Sequence, residues 1–587
     1  MKPEPDSVAD VIARVLKARG VSRVFALCGG HIMPIWMRID AHGIPIVDVR
    51  DERAAVHMAQ AHAELTGALG VALVTAGPGV TNAMTGIANA HVSRAPVLVI
   101  AGTNPSPQEN RGGLQDLDHT HLVRSITRYA RTIREPTLAL AELDEAISRA
   151  LGDGGEPGPA YIDFPTDTLR GMVPRPLQLE EHIQPKPRQA LRPDPAQVHA
   201  AVDLLWSARR VLVISGRGAR GAGPELVNLL DRLGAVYLDT GESRGLVPDS
   251  HPSVVGAMRG TVMGDADVVL TVGRRLDFQL AYGSPAIFGA AQFVRIADIP
   301  AELRDNRRGA AEILAAPAEA LGALTEHAGN RESCVDRAWA AKLRAGHEER
   351  ARKLRQSMSA ARPGSDGRLH PNRVLAALQD AMGTDAIAIT DGGDFLSFAR
   401  IGLSAPMMLD PGPFGCIGVG VPYGIAASLA FPDKKVVVAT GDGAFGFNAI
   451  ELDTAARHKA PVLIVVANNG AWQIEVHDQT VTHGKVVGTR LQFSDHAAMA
   501  RAFGLHGERV ETDEQLEPAI ARAMANRPAL LDVVVTPEAV SSDAKTGLAW
   551  VPDLQPLAAW DAAERNWRAG RPATGDGQGP APRHQLR

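Results

Sequence analysis

The chain has 587 residues, of which 45% are apolar and 22% charged, with a formal net charge of −5 at pH 7. That length exceeds one ordinary core and predicts two to four domains. The mild acidity and the absence of a basic stripe argue against nucleic acid as a partner. No apolar run approaches the roughly 20 residues needed to cross a bilayer. Cys28, Cys334 and Cys416 are odd in number and far apart, without metal-ligand spacing, which argues against a disulfide framework. The acidic start MKPEPDSVAD lacks the basic and apolar regions of a signal peptide, and a cytoplasmic protein is expected.

The first helix opens at Ser7, with Asp10 completing a variant capping box, and Val8, Val11, Ile12, Val15 and Leu16 mark its buried face. Strand-like runs follow at 24–29, 45–49, 71–77, 96–102 and 160–165, with helical segments between them. Such alternation predicts a parallel sheet covered on both faces. The proline-rich, charged stretch 173–195 reads as a linker. A second unit carries runs at 209–216, 235–240, 267–273 and 292–298 and ends in a charged helix around 336–358. After a short linker at 361–367 come runs at 386–393, 407–412, 435–443 and 461–469, with 529–537 expected to close the sheet. The chain is thus read as α/β, with three doubly wound parallel-sheet domains at 1–172, 196–360 and 361–537 and a tail at 538–587.

The most specific feature lies in the third unit. Gly441-Asp442-Gly443 ends one strand-like run and Asn468-Asn469 ends the next, with 24 residues between Gly443 and Asn468 and a helical pattern over FNAIELDTAARHK. Both motifs fall at carboxyl ends of neighbouring strands, where open α/β sheets bind ligands. Glycines let backbone approach a phosphate, while an aspartate and an amide oxygen are hard ligands suited to Mg²⁺. Ordinary strand-end turns are the alternative.

These paired motifs resemble the signature of thiamine diphosphate-dependent enzymes, from the first helix to the last strand. The resemblance implies a pyrimidine-binding first domain, a central domain and a diphosphate-binding third domain. It implies Mg²⁺ held by Asp442, Asn469 and the backbone carbonyl of Ala471, with Gly443 and Ala444 offering N–H groups to the diphosphate. Gly393 and Asp394 fall in the same cofactor-binding set. Glu52, in VRDERAAVHMA, matches the family's activating glutamate, which hydrogen-bonds the aminopyrimidine; an acid favoured by a helix dipole is the alternative, and Asp51 is the neighbouring candidate. Ile417 matches the bulky residue that wedges between the two cofactor rings, with the Gly415 carbonyl accepting from the aminopyrimidine; plain core burial would suit Ile417 equally. Because Glu52 and the metal ligands belong to different halves, the resemblance implies a homodimer or homotetramer with active sites at the subunit interface.

For the substrate, Glu475 lies where some relatives place a substrate-facing acid, and His31, Gln115 and His119 fall where the family aims groups at the thiazolium. Neutral imidazole and amide groups suit a carbonyl or hydroxyl. FALCGGHIMPIW, GLQDLD and HGKVVGTRL resemble benzaldehyde lyase and the 2-hydroxyacyl-coenzyme A lyases, while overall similarity also points to acetolactate synthase. Arg400 stands where coenzyme A-dependent relatives reach for phosphates, a task suited to a guanidinium fork. The glycine-rich SGRGARGAG, with Arg217 and Arg220, is a second phosphate candidate; the resemblance implies FAD, ADP, the ADP moiety of coenzyme A or no ligand in this domain, and a purely structural sheet is the alternative. Trp550, Trp560 and Trp567 in the tail call for burial, and 540–570 is expected to be a lid or a strap, with the last fifteen residues disordered.

Overall fold

The computed structural model describes residues 6–153, 155–173, 183–184, 190–546 and 552–570. Most of the expected 173–195 linker, Trp550 and the last fifteen residues of the tail lie outside the described residues.

Three parallel sheets form the framework. The first-domain sheet runs, across its width, Ile46–Asp48, Val24–Ala26, Gly70–Val74, Val97–Thr103, Ala160–Pro165 and Tyr129–Thr132. In the third domain the order is Met407–Leu409, Ala386–Asp391, Lys435–Gly441, Val462–Asn468, Ala529–Val534 and His506–Val510. Numbered along the chain, both sheets have the order 2-1-3-4-6-5, so the two domains share one topology. The central sheet has five strands, ordered Val236–Leu238, Val211–Ser215, Val268–Val272, Gln292–Ala297 and Ala311–Leu314. Near-continuous apolar runs such as VLIVVA are buried on both faces, which parallel strands require because crossover helices cover both sides.

Three strands of these parallel sheets escaped the pattern: Tyr129–Thr132, Ala311–Leu314 and His506–Val510. Each is an edge strand, only partly buried, so its sequence lacks an apolar run. One expectation is corrected by this: Ala529–Val534 does not close the third sheet but lies between Val462–Asn468 and His506–Val510. The expected single helix after Gly443 is also broken, into Asp442–Asn448, a turn at Ala449–Glu451, and Leu452–Arg457.

Helix Val8–Ala18 is capped as read: Ser7 Oγ accepts from the Asp10 N–H at 3.2 Å and Asp10 Oδ2 accepts from the Ser7 N–H at 3.1 Å. The helix Glu52–Thr66 packs against helix Gly420–Ala430, and one apolar core runs through both domains, with Val56, Met58 and Ile87 meeting Val421, Ile425 and Ala426. Asn89 reinforces that seam, donating to Tyr423 Oη at 2.9 Å and to Gln60 Oε1 at 3.0 Å. Among the described residues no helix is long and apolar enough to cross a membrane.

The tail divides. Ser542–Thr546 lies against helix Asp394–Gly402, and helix Ala558–Ala569 packs on Pro285–Phe288 of the central domain. There Gln555 Nε2 donates to the Ala281 carbonyl at 3.3 Å, Ser284 bonds Glu564, and Trp560 joins the cluster of Leu276, Phe288 and Leu343.

Candidate active site

In the third sheet the chain leaves Ala386–Asp391 toward one edge and Lys435–Gly441 toward the other, which opens a crevice between their carboxyl ends. Asp442 begins its helix in that crevice and is only 6% exposed. Burial pushes its carboxyl up to about 6, against backbone N–H groups of Gly443, Gly470 and Asn469 that favour the charged form. Its Oδ2 is buried without a hydrogen-bond partner. One strand over, Asn469 Oδ1 accepts from the Ala471 N–H at 3.1 Å, in a turn where Gly470 sits at φ +65°. Asn468 instead points into the fold, donating to Asp532 Oδ1 at 3.0 Å and to the Ser494 carbonyl at 2.9 Å. Gly443 has no room for a side chain, because a Cβ would lie 2.5 Å from the Trp472 ring. Ala444 is buried beside Gly392.

The loop bearing Gly415 and Ile417 is gripped from beneath. Asp391, fully buried, accepts from the N–H of Gly392 at 2.7 Å, Gly418 at 3.1 Å and Gly420 at 2.8 Å. Asn448 Nδ2 donates to the Gly418 carbonyl at 2.6 Å. Gly415 lies at φ +66° and Gly418 at φ +92°. Ile417 between them is half-buried, while Val419 and Val421 enter the core. An asparagine at 391 would turn an NH₂ toward these N–H groups, leaving buried donors unsatisfied at about 1–3 kcal/mol each. Asp391→Asn is therefore expected to weaken thiamine diphosphate binding by about 10- to 100-fold, which titration calorimetry would measure.

Gly393 caps helix Asp394–Gly402 and packs near Ile474. Burial raises the Asp394 carboxyl, which leans on Ser541 and His477. From the neighbouring helix Gln473–His483, Gln473 Nε2 reaches the Pro537 carbonyl at 2.8 Å and His477 Nε2 the Ala539 carbonyl at 3.1 Å. Glu475 on that helix is exposed, and partial burial with Asp478 raises its carboxyl above the usual range.

The first domain presents its own crevice at the equivalent place. Glu52 opens the helix Glu52–Thr66, whose cap is Asp51, and is 4% exposed. Burial raises its carboxyl, opposed by Asn82 Nδ2, which donates to Glu52 Oε2 at 3.0 Å. His31 lies just past a strand end, its Nε2 3.0 Å from Asn104 Oδ1. Gly102 must be glycine there, because a Cβ would lie 2.2 Å from the His31 carbonyl oxygen. Gln115 holds φ +65° and packs directly on Gly77. His119 has both ring nitrogens engaged: the Gly77 N–H donates to Nε2 at 2.8 Å, and Nδ1 lies 3.0 Å from Asp163 Oδ2, which also accepts from Tyr161 Oη at 2.8 Å. That geometry holds the Gly77 turn on which Gln115 rests.

The three arginines are occupied within the fold. Arg400 Nε lies 2.9 Å from Asp410 Oδ2, and its carbonyl accepts from Arg244 at 2.6 Å. Arg217 and Arg220 clamp Glu64 of the first domain at 2.7 and 3.0 Å, and Arg217 also lies 3.7 Å from Glu242. These pairs floor a cleft of about 1190 Å³ between the three domains, lined among others by Arg94, Ser243 and Pro300. The polar partners Asn82, Asn104, Asp391 and Asn448 carry no motif of their own. Only DGG after a strand hinted at Asp391, and nothing in the spacing marked the rest.

The donor set suits Mg²⁺ and a diphosphate. Asp442 offers an unpartnered buried oxygen, Asn469 and the Ala471 carbonyl are hard donors, and Mg²⁺ commonly takes few protein ligands and completes its shell with phosphate oxygens. Among the described residues no group of three or more His, Cys, Asp or Glu side chains could hold a metal instead.

Comparison with known proteins agrees along the chain. Residues 6–122 match the N-terminal TPP binding domain of thiamine pyrophosphate enzymes, 198–324 the central domain, and 371–533 the C-terminal TPP binding domain. The chain is 34% identical over 540 residues to the acetolactate synthase large subunit IlvG of Mycobacterium tuberculosis, covering 90% of this chain and 95% of that one. It is 30% identical over 547 residues to 2-hydroxyacyl-CoA lyase 2 of Caenorhabditis elegans, covering 86% and 84%. With 2-hydroxyacyl-CoA lyase 2 of Homo sapiens it shares 31% over 541 residues, 84% of each. Crevice, donor set and relatives converge: the chain belongs to the thiamine pyrophosphate enzymes, as a member that makes or breaks carbon–carbon bonds.

Proposed function

We propose that this enzyme is a 2-hydroxyacyl-CoA lyase, cleaving a 2-hydroxyacyl-CoA to formyl-CoA and an aldehyde or ketone, or running the reverse condensation. The observation that carries this reading is the first-domain cluster at the strand ends. His31, seated on Asn104, and Gln115, held at positive φ over Gly77, supply a ring nitrogen and an amide suited to a hydroxyl and a thioester carbonyl. When bound, thiamine diphosphate supplies the nucleophilic carbon that adds to the substrate carbonyl. In cleavage the bond between C1 and C2 breaks, the C2 hydroxyl loses its proton to a base, and C1 takes up a proton as the formyl group. Glu475 is the proposed base and acid for these transfers, with His31 and Gln115 orienting the substrate and His119 holding their loop. Glu52 is the proposed activator of the cofactor, and Ile417 the wedge that bends it. Mg²⁺ at Asp442, Asn469 and Ala471, and active sites shared between subunits of a homodimer or homotetramer in the cytoplasm, belong to the same proposal.

Several relatives carry the name 2-hydroxyacyl-CoA lyase, which supports the thioester as substrate. The 34% identity to an acetolactate synthase large subunit favours a second reading, carboligation of free 2-oxo acids, with benzaldehyde-lyase-like chemistry on aldehydes beside it. Incubating the protein, Mg²⁺ and thiamine diphosphate with 2-hydroxyacyl-CoA thioesters, pyruvate and benzoin separates them. Formyl-CoA with an aldehyde or ketone supports the lyase. Acetolactate from pyruvate, or benzaldehyde from benzoin, with untouched thioesters, overturns it. Arg400 and the pair Arg217 and Arg220, the candidates for coenzyme A phosphates, already pair with Asp410 and Glu64, and Arg400 does so through Nε.

Because the base must be ionised, cleavage is expected to slow as pH falls through the raised Glu475 value, above the ordinary 4.5 of a glutamate. Glu475→Gln should remove that acid limb from the pH–kcat profile. The tail is proposed to shelter the site, since Pro537 to Asp543 already bridges the helices that carry Glu475 and Asp394. Deleting the residues after Val540 is expected to lower turnover; unchanged turnover at unchanged melting temperature would remove the shelter.

A further inference from the structure

Glu451 has no part in the chemistry described so far, yet it is a glutamate with no exposed surface at all. A buried carboxylate is costly unless its oxygens are well supplied with donors. It ends the short turn Ala449–Glu451 of the third domain and reaches across to the first. The Arg50 backbone N–H donates to its Oε1 at 3.1 Å and to Oε2 at 3.3 Å. Thr454 Oγ1 donates to Oε2 at 2.5 Å. The two carboxylate oxygens together serve a shared backbone N–H and a hydroxyl. Arg50 and Asp51 are the two residues before Glu52.

Neighbouring contacts tighten the same strip. Arg53 Nη2 donates to the Phe447 carbonyl at 2.8 Å, Arg50 Nη1 lies 3.3 Å from Asp453 Oδ2, and His458 Nε2 lies 2.8 Å from Asp48 Oδ1. Arg457 pairs with Asp48 beside them. Residues 447–458 therefore grip 48–53 on both sides of the Glu52 peptide, and Glu451 is the member placed on the backbone that precedes it.

We propose that Glu451 is a positioning residue for cofactor activation: by holding the Arg50 N–H from the third domain, it fixes where the Glu52 carboxylate stands. This rests on Glu52 being the activating carboxylate. A displacement of about 1 Å in a reacting group costs about 10²-fold in rate, and Glu52 is the first residue of its helix, directly after the turn that Glu451 seats. Burial, with Asp51 nearby, pushes the Glu451 carboxyl up to about 7, against the Thr454 hydroxyl and the Arg50 N–H, which favour the charged form.

The test compares wild type, Glu451→Gln and Glu52→Gln. In cofactor-free protein, amide hydrogen exchange across residues 49–53 is followed by mass spectrometry; with thiamine diphosphate and Mg²⁺ bound, exchange of the cofactor C2 hydrogen is followed by quenched NMR, beside cofactor affinity. Glu451→Gln is expected to expose the Arg50 amide and slow C2 exchange by about 10- to 100-fold, with affinity changed far less. Wild-type C2 exchange in Glu451→Gln, while Glu52→Gln has lost it, overturns the proposal. Wild-type C2 exchange in Glu52→Gln overturns the activation reading instead. If Glu451→Gln does not fold, Glu451→Asp, which keeps the charge but falls one methylene short, is read the same way: slowed exchange supports the seat and wild-type exchange overturns it.

Discussion

Glu52→Gln is expected to lower turnover by about 10²- to 10⁴-fold, the range for losing a positioned acid or base, while thiamine diphosphate still binds. Glu52 is nearly buried at the start of its helix, where burial raises its carboxyl and the Asn82 amide holds one oxygen. Glutamine keeps the shape and can still accept from Asn82, so the fold and the pyrimidine pocket should persist. What it loses is the exchangeable proton that the activating role requires. Turnover near wild type in a well-folded, cofactor-loaded Glu52→Gln protein would break that role, and steady-state kinetics beside calorimetric titration makes the comparison.

Asp442→Ala is expected to abolish measurable binding of thiamine diphosphate and Mg²⁺, a loss exceeding the roughly 10- to 100-fold that follows removal of an outer-shell partner. The carboxylate is buried at the strand end, one oxygen is without a protein partner, and the surrounding N–H groups of Gly443, Asn469 and Gly470 draw negative charge there. Removing a buried acid whose carboxyl is raised by desolvation relieves more than the lost N–H contacts cost, so the apo protein should be no less stable. The signature is thus a split: cofactor-induced stabilisation, which depends on ligand binding to the native state, disappears, while the apo melting temperature holds or rises. A cofactor-dependent shift equal to wild type would remove Asp442 from the cation site.

Much of this molecule was legible along the chain, for identifiable reasons. Interior parallel strands such as Lys435–Gly441 and Val462–Asn468 are apolar on both faces, so they stand out as runs whose ends mark the crevice. Gly443 was conspicuous because tight backbone approach tolerates no side chain, and Trp472 occupies the space one would need. The edge strands Tyr129–Thr132 and His506–Val510 were not legible, because partial burial leaves their composition mixed. His119 illustrates a different gap. The resemblance placed it where the family aims groups at the thiazolium, but only the fold brings Asp163 and the Gly77 N–H to its two nitrogens.

Local chemistry by itself determined three α/β units and the paired strand-end motifs, because each depends on residues close in sequence and on a backbone period; Glu52 was singled out over Asp51 by the resemblance of its segment to the family. Tertiary structure alone decided which groups are free to act. Arg217 and Arg220 are held by Glu64, more than 150 positions away, Arg400 is held by Asp410, and the peptide before Glu52 is held by Glu451, 401 positions from Arg50. Partnering of charges is a property of distance in space, and the strand order that brings these residues together is set by the packing of whole domains rather than by any local run.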